Sequence, residues 1–166
     1  MTNKIDLIST PVAAIVASGL THIDFADCYS GQSDRTYIDA EQAARAVFSN
    51  PPQIAQSLMT LRNRIMSRFG IKAGTDFRDH GLGKVEVFPI VSSSGTEIVL
   101  GGNDRHLDFR IWISIRPGVK GSEVSMSTLV KINNTLGRVY LFAIMPFHKM
   151  LSRMLLQRAL LQSDSE

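Results

Sequence analysis

The sequence predicts an α+β fold in which a curved antiparallel β-sheet grips a long C-terminal helix, with two short helices after the first strand. Two observations predict it. From Lys84 to Asn133 the apolar residues recur at every second position, in segments separated by short turns, and antiparallel neighbours need only such short connections. From Leu136 to Leu161 the chain is rich in leucine, methionine and arginine, which favour a helix. That helix is expected to cover the apolar face of the sheet.

The N-terminal elements are a strand and two short helices. His22 to Ser30 (HIDFADCYS) contains branched and aromatic residues in partial alternation, which indicates the first strand. Asp39 to Phe48 (DAEQAARAVF) opens with a capping residue and continues with alanine-rich sequence, and Asn50 and two prolines end this helix. In residues 51 to 70 the apolar side chains recur at spacings of three and four, which predicts the next helix.

The C-terminal half of the sequence holds the remaining strands and the long helix. In that helix Pro146 lacks an amide donor and crowds the carbonyl group one turn back, so a kink is expected there. The segments with strand-like alternation are Lys84 to Val91, Thr96 to Gly102, His106 to Arg116 and Glu123 to Asn133.

Length and composition predict one domain. A chain of 166 residues with 44% hydrophobic residues can bury a core without metals or disulfides, and no repeat or linker divides it. We expect residues 1–20 to be a variable N-terminal segment, residues 21–162 to form the single domain, and residues 163–166 to be a polar tail.

Charge and cysteine content restrict the partners and the compartment. The net charge of +3 is small, and basic residues are interleaved with acidic ones over most of the chain, so a nucleic-acid partner is not expected. The single cysteine, Cys28, excludes an intrachain disulfide and favours a reducing cytoplasm. No segment approaches the run of about 20 uncharged apolar residues that an integral membrane helix needs.

Several motifs together resemble a known family. They are LMTLRNRIMSRFGI (Leu58 to Ile71), FPI (Phe88 to Ile90), EIVLGGNDRHLDFR (Glu97 to Arg110), GRVY (Gly137 to Tyr140) and PFH (Pro146 to His148). In this order they resemble the bacterial family known as domain of unknown function 2867. The resemblance implies a small START-like, helix-grip domain without an established activity, and a reductase-like nucleotide-binding domain as a fusion-type partner. This chain has no glycine-rich phosphate loop between a strand and a helix, so no cofactor is predicted.

The strand His106 to Arg116 carries the first candidate site. Asp104, His106, Asp108 and Arg110 alternate with other residues, so their side chains are expected on one face of the sheet. Such a row could orient a histidine as a general base and bind an anionic group through the arginine. The alternative is a row that faces solvent and forms cross-strand ion pairs, while the apolar row packs under the long helix.

A second set of candidates belongs to a pocket between the helix and the sheet. His148 follows Pro146, where a kink would turn the imidazole toward the space in which a helix-grip ligand would lie. The alternative is a histidine that only caps a freed carbonyl group or meets solvent. No metal site is predicted, because the chain lacks an HExxH motif and a pair of cysteines. The candidate ligand-binding residues are Trp112, Tyr140, Met126 and Phe147.

Three functions are compatible with these patterns. The first is the binding of an apolar or partly apolar small molecule between the long helix and the sheet. The second is a cofactor-independent cyclase, hydrolase or isomerase with His106 or His148 as its base. Asp108 would orient that base, and Arg110 would clamp an anion. The third is an accessory or interaction module, including a homodimer, that docks through Trp112 and the apolar helix. The face of the strand that lies under the long helix is the observation that separates them.

Overall fold

The computed structural model describes residues 4–49, 51–54, 56–57, 60, 64, 67, 82–86 and 88–162. Within them an antiparallel sheet holds seven strands in the order β1-β2-β7-β6-β5-β4-β3, and a long C-terminal helix lies against it. The predicted α+β class with its helix-grip arrangement is confirmed. The elements are β1 (Ile5–Ile8), α1 (Val12–Ser18), β2 (Phe25–Ser33), α2 (Ala40–Phe48), β3 (Lys84–Val85), β4 (Phe88–Ser93), β5 (Glu97–Asn103), β6 (Leu107–Pro117), β7 (Ser122–Ile132) and α3 (Thr135–Leu161).

The predicted elements correspond to β2, α2, the strands of the C-terminal half and α3. Residues 1–20, for which the sequence predicts no element, contribute β1, which pairs with β2 at the edge of the sheet, and α1. The segment predicted as one strand from Lys84 to Val91 is divided into β3 and β4, because Val85 pairs back onto Phe88 in a tight hairpin. The helix predicted over residues 51–70 lies largely outside the described residues.

The central strands divide their side chains between two covered faces. On β6, Ile113 and Ile115 belong to the core that α2 and α3 cover, whereas Trp112 belongs to a smaller core that includes Ala14 of α1. This division follows from the two-residue period of a strand. We call the face under α2 and α3 the grip face and the opposite one the α1 face. Each strand in the centre of the sheet therefore has two buried rows.

The C-terminal half of α3 is anchored on the grip face. Leu156 and Ala159 are fully buried there. Leu160 lies on β2 at Gly31, where an added Cβ atom would overlap the leucine side chain. The Tyr37 hydroxyl group donates a hydrogen bond of 2.8 Å to the carbonyl oxygen of Ala159. These contacts fix this half of the helix against β2 and α2.

The first turn of α3 is anchored on the turn between β5 and β6. The Asn134 side chain caps the helix by accepting a hydrogen bond of 3.0 Å from the backbone amide of Gly137. Its Nδ2 atom donates to the carbonyl oxygen of Arg105 at 3.2 Å. Gly137 is buried, and an added Cβ atom there would overlap the carbonyl oxygen of His106. Glycine thus lets the helix begin directly on the backbone of this turn.

Between these two anchors α3 is only partly covered. From Arg138 to Leu151, all of which the structure describes, no residue is fully buried, and the helix runs through Pro146 uninterrupted. Residues of its inward side repeat at spacings of three and four but remain half-buried. They are Tyr140, Leu141, Ile144, Met145, His148 and Leu151.

By length and composition alone, α3 is apolar enough to cross a membrane. One such helix is weak evidence for a membrane span, because core helices of globular domains pass the same test; 17% of the apolar window of α3 is buried, and its C-terminal half packs one side against the core. The helix also contains Pro146 and several cationic residues. The described part of the chain therefore holds no clear integral membrane segment.

Replacement of Gly137 by alanine tests the anchor of the first turn. Gly137→Ala pushes a methyl group into the His106 carbonyl, and such overpacking lowers the free energy of unfolding by about 1–3 kcal/mol. This loss should appear although alanine favours a helix interior over glycine by about 1 kcal/mol. Urea denaturation measures it. The control is Gly95→Ala, whose added Cβ atom has nothing within 4 Å; equal stability of the two variants would contradict the proposed close contact.

Candidate functional site

The polar row of β6 faces away from the long helix. Trp112 is 0% exposed on the α1 face, in a cluster with Ala14, Val99 and Leu129. Its indole Nε1 atom donates a hydrogen bond of 3.2 Å to Glu97 Oε2. Trp112 is fully buried and its indole N–H group is paired, so it is a packing residue. It lies neither on the grip face beside α3 nor on an exposed docking surface.

Arg110 is buried beneath the end of α1. Its Nε atom donates to the carbonyl oxygen of Ser18 at 3.1 Å, and its Nη2 atom donates to Asn103 Oδ1 at 2.9 Å. The Nη1 atom donates to the carbonyl oxygens of Gly102 and Phe109. Burial lowers the pKa of the guanidinium, and the negative charge of Asp108 offsets part of this shift. Through these four hydrogen bonds Arg110 joins α1 to β5 and β6. Its guanidinium group therefore does not form an open anion site.

The remaining members of the row have structural partners as well. Asp108 forms an ion pair with Lys131 at 3.1 Å and accepts a hydrogen bond of 3.0 Å from Asn133. His106 lies at the start of α3, where its Nδ1 atom contacts the Asn134 side chain, at 3.1 Å from Oδ1. Its Nε2 atom is buried without a hydrogen-bond partner among the described residues. His106, Asp108, Arg110 and His148 thus do not converge, since only His148 lies between α3 and the grip face.

His148 pairs instead with an aspartate of β2. Its Nε2 atom lies 3.2 Å from Asp27 Oδ2, and the two side chains are 18% and 7% exposed. Ser152, one helical turn later, places its Oγ atom 3.4 Å from the same nitrogen. The Phe25 ring meets the imidazole edge-on, with ring centroids 5.7 Å apart. We call the pair of His148 and Asp27 the dyad.

The surroundings of the dyad are mostly uncharged. Asp27 Oδ1 is buried and has no hydrogen-bond partner in the described part of the chain. Tyr29 follows two positions later on the same face of β2. Burial raises the pKa of its hydroxyl group, the charge of Asp27 adds to that shift, and Arg153 opposes it. A carboxylate and an imidazole are therefore largely shielded from water, in surroundings where unpaired polar atoms are costly.

Sequence reasoning missed Asp27, although a signal was present. In the first strand Phe25, Asp27 and Tyr29 occupy alternate positions, so the aspartate interrupts a row of aromatic residues. A charged residue in the row that should face the core is unusual unless it has a partner. The neighbour of Asp27, Cys28, faces the other side and is 0% exposed, and burial raises the pKa of its thiol.

The other candidate ligand-binding residues are spread over α3 and the sheet. Met126 is buried on the grip face beneath α2 and α3. Tyr140 lies half-buried on the inward side of α3, and Phe147 is 45% exposed on its outer side. No group of three or more histidine, cysteine, aspartate or glutamate side chains within the described ranges could hold a metal ion.

Half-buried side chains lie both on the middle of α3 and on the grip face of the sheet. On α3 they are on the inward side from Tyr140 to Leu151. On the grip face they are mainly aromatic and branched: Phe25, Phe109, Ile111 and Thr128, with Phe88 further along, against Phe48 of α2. We use the term cleft for the region between these two surfaces, which we call its walls. The dyad stands at one side of this cleft, on β2.

Removal of the Arg110 guanidinium should destabilise the fold. Arg110→Met leaves four acceptors without their donor, two of them in buried hydrogen bonds, and the free energy of unfolding should fall by about 2–3 kcal/mol. Thermal and urea unfolding measure the change. Arg116→Met, at the exposed end of the same strand, is the control and should stay within about 0.5 kcal/mol of the wild type. A loss of stability no greater than that of the control would rule out the structural role.

The comparisons with known proteins agree with this architecture. The model of a family described as protein of unknown function (DUF2867) matches residues 20–154, a range that contains strands β2 to β7, the dyad and most of α3. No curated protein and no solved structure matches the chain. The resemblance seen in the sequence motifs is thereby confirmed, and the chain belongs to the DUF2867 family.

Proposed function

We propose that the protein binds a small, partly apolar molecule in the cleft between α3 and the sheet. The observation that carries this proposal is the stretch of α3 from Arg138 to Leu151, which is held at both ends and has no fully buried residue. A helix fitted to a sheet only to fill a core would bury its inward side along its whole length. The half-buried walls leave apolar surface available to a ligand.

The chemistry of the walls indicates the kind of molecule. Phe25, Phe109 and Ile111 present apolar surface, which favours an apolar body. The dyad and the hydroxyl group of Thr128 give one polar end to a site that is otherwise apolar. A ligand with an apolar body and a single polar group matches this pattern, because a few polar groups in an apolar pocket fix the orientation of the ligand.

The fusion-type partner, the homodimer and the cytoplasmic location remain proposals. A reductase domain as a fusion-type partner rests on the family resemblance, and a homodimer would have to use the exposed apolar side of α3, since Trp112 is buried. A cytoplasmic location rests on the single, buried Cys28. Enzyme activity through Asp108 and Arg110 is no longer supported, because these residues lie on the α1 face and not beside α3.

Binding of a neutral fluorescent probe, N-phenylnaphthylamine, tests the cleft. Thr128 lies on the grip face between Asp27 of β2 and Ile111 of β6. Thr128→Trp should fill the space and weaken probe binding by about tenfold or more. Fluorescence titration measures the Kd.

The control for this experiment is Thr96→Trp, which adds the same side chain to the exposed turn between β4 and β5. It should bind the probe as the wild type does. Equal affinity of all three proteins would contradict a ligand site in the cleft, and so would the failure of the wild type to bind the probe.

A further inference from the structure

The dyad has the arrangement of a general base with its positioning carboxylate. We propose that the protein is an enzyme in which His148, positioned by Asp27, removes a proton from a carbon atom of the molecule in the cleft. The inference rests on the proposed function, because it needs a molecule bound beside α3. It replaces the partners expected from the sequence, Asp108 and Arg110, with a residue of β2.

The pairing determines which nitrogen of His148 is available. An ionised carboxylate only accepts hydrogen bonds, so the imidazole nitrogen 3.2 Å from Asp27 Oδ2 carries a proton. That nitrogen is Nε2, and in the neutral ring the lone pair then belongs to Nδ1. None of the hydrogen bonds within the described ranges involves Nδ1. The free base is thus the nitrogen that the dyad leaves unoccupied, and the carboxylate stabilises the imidazolium formed after proton transfer.

The surroundings suit a proton transfer. The side chains of His148 and Asp27 are 18% and 7% exposed, so little water competes for the base. Phe25 packs against the imidazole and limits its rotation. Burial and the charge of Asp27 both raise the pKa of Tyr29, so its hydroxyl group stays protonated and does not compete as a base.

These features define the class of substrate. In the cleft a C–H bond next to a carbonyl group breaks, its proton moves to Nδ1 of His148, and its electron pair moves onto the carbonyl oxygen to give an enolate. Return of the proton to the other face of the same carbon atom completes an epimerisation, and in a β,γ-unsaturated substrate its return to the γ carbon of the dienolate completes a double-bond isomerisation, so neither a redox partner nor a cofactor is consumed. The apolar walls favour an enolisable ketone or ester with an apolar body.

A second histidine and aspartate pair on the surface provides a matched comparison. His22 Nε2 lies 3.1 Å from Asp24 Oδ2, but the two side chains are 55% and 30% exposed. This pair has the same residue types and nearly the same distance outside the cleft. A solvated pair gains no rate from an apolar environment, so variants of His22 report only the general effect of losing a histidine.

The experiment uses nitrobenzisoxazole, an apolar carbon acid. Its ring C–H proton passes to a base while the ring N–O bond breaks, and the coloured phenolate product reports the rate. His148→Gln should lower kcat/KM by about 100-fold, whereas His22→Gln should leave it unchanged. Asp27→Asn should lower kcat by about tenfold with little change in KM, because it removes the positioning group and not the cleft.

The outcomes separate the inference from the proposed function. If the wild type binds N-phenylnaphthylamine in the cleft but His148→Gln turns over nitrobenzisoxazole as fast as the wild type, the base assignment is wrong and the binding site stands. If Thr128→Trp leaves binding of N-phenylnaphthylamine unchanged, the binding site itself is wrong. Should His148→Gln fail to fold, Asp27→Asn decides: a wild-type kcat and pH profile would overturn the inference, and a lowered kcat with a shifted profile would support it.

Discussion

The attachment of α3 at its two ends is the constraint on which the grip face depends. At one end Leu156, Ala159 and Leu160 bury the helix against β2 and α2. At the other end Gly137 brings the first turn onto the backbone of His106. Between these ends the helix meets the sheet at His148, which pairs with Asp27 and packs against Phe25 of β2, and no residue from Arg138 to Leu151 is fully buried. The half-buried walls follow from this attachment.

A second consequence concerns the polar residues of the sheet. The α1 face carries Arg110 and Asp108, and both have their hydrogen-bonding groups occupied by neighbouring backbone or side-chain atoms. The grip face carries Asp27, of which one carboxylate oxygen is buried without a partner in the described residues. A charged group with every bond satisfied contributes to stability, whereas an incompletely satisfied one costs stability. An unpaired buried polar atom does not by itself distinguish the two faces, because Ser127 Oγ on the α1 face is also unpaired in the described residues. Asp27 differs in being a charged residue that pairs with a histidine of α3.

Most of the fold could be predicted from the sequence because its signals are local. The alternation of β6 and β7 and the composition of α3 each depend on neighbouring residues, and these elements appear where they are expected. β1 and α1 are short and are stabilised by contacts with β2 and β6 that no local pattern reveals. The two-residue period placed the polar row of β6 opposite its apolar row, but it could not tell that α1 covers the polar row.

The candidate site was only half predictable for the same reason. The position of His148 just after Pro146 makes it a candidate site residue from the sequence alone. Its partner Asp27 is 121 positions away in the sequence. The two side chains meet only because β2 pairs with β7 and α3 packs on β2. A tryptophan among polar residues is unusual, and this pattern favours a pocket wall or a contact surface at Trp112. In the fold, α1 supplies the apolar neighbours that the sequence around Trp112 lacks.

Pro146 lies between the first turn of α3, which is anchored at Gly137, and His148, which contacts β2. Without an amide hydrogen at Pro146, the carbonyl group of Phe142 has no helical donor, and the helix is least stiff at this point. A helix that is held at both ends and weakened near its middle bends there when it is pushed away from the sheet. It does not open as a hinged lid does. We therefore expect a ligand to change the width of the proposed cleft more than its length, so that molecules that differ in girth are accommodated more readily than molecules that differ in length.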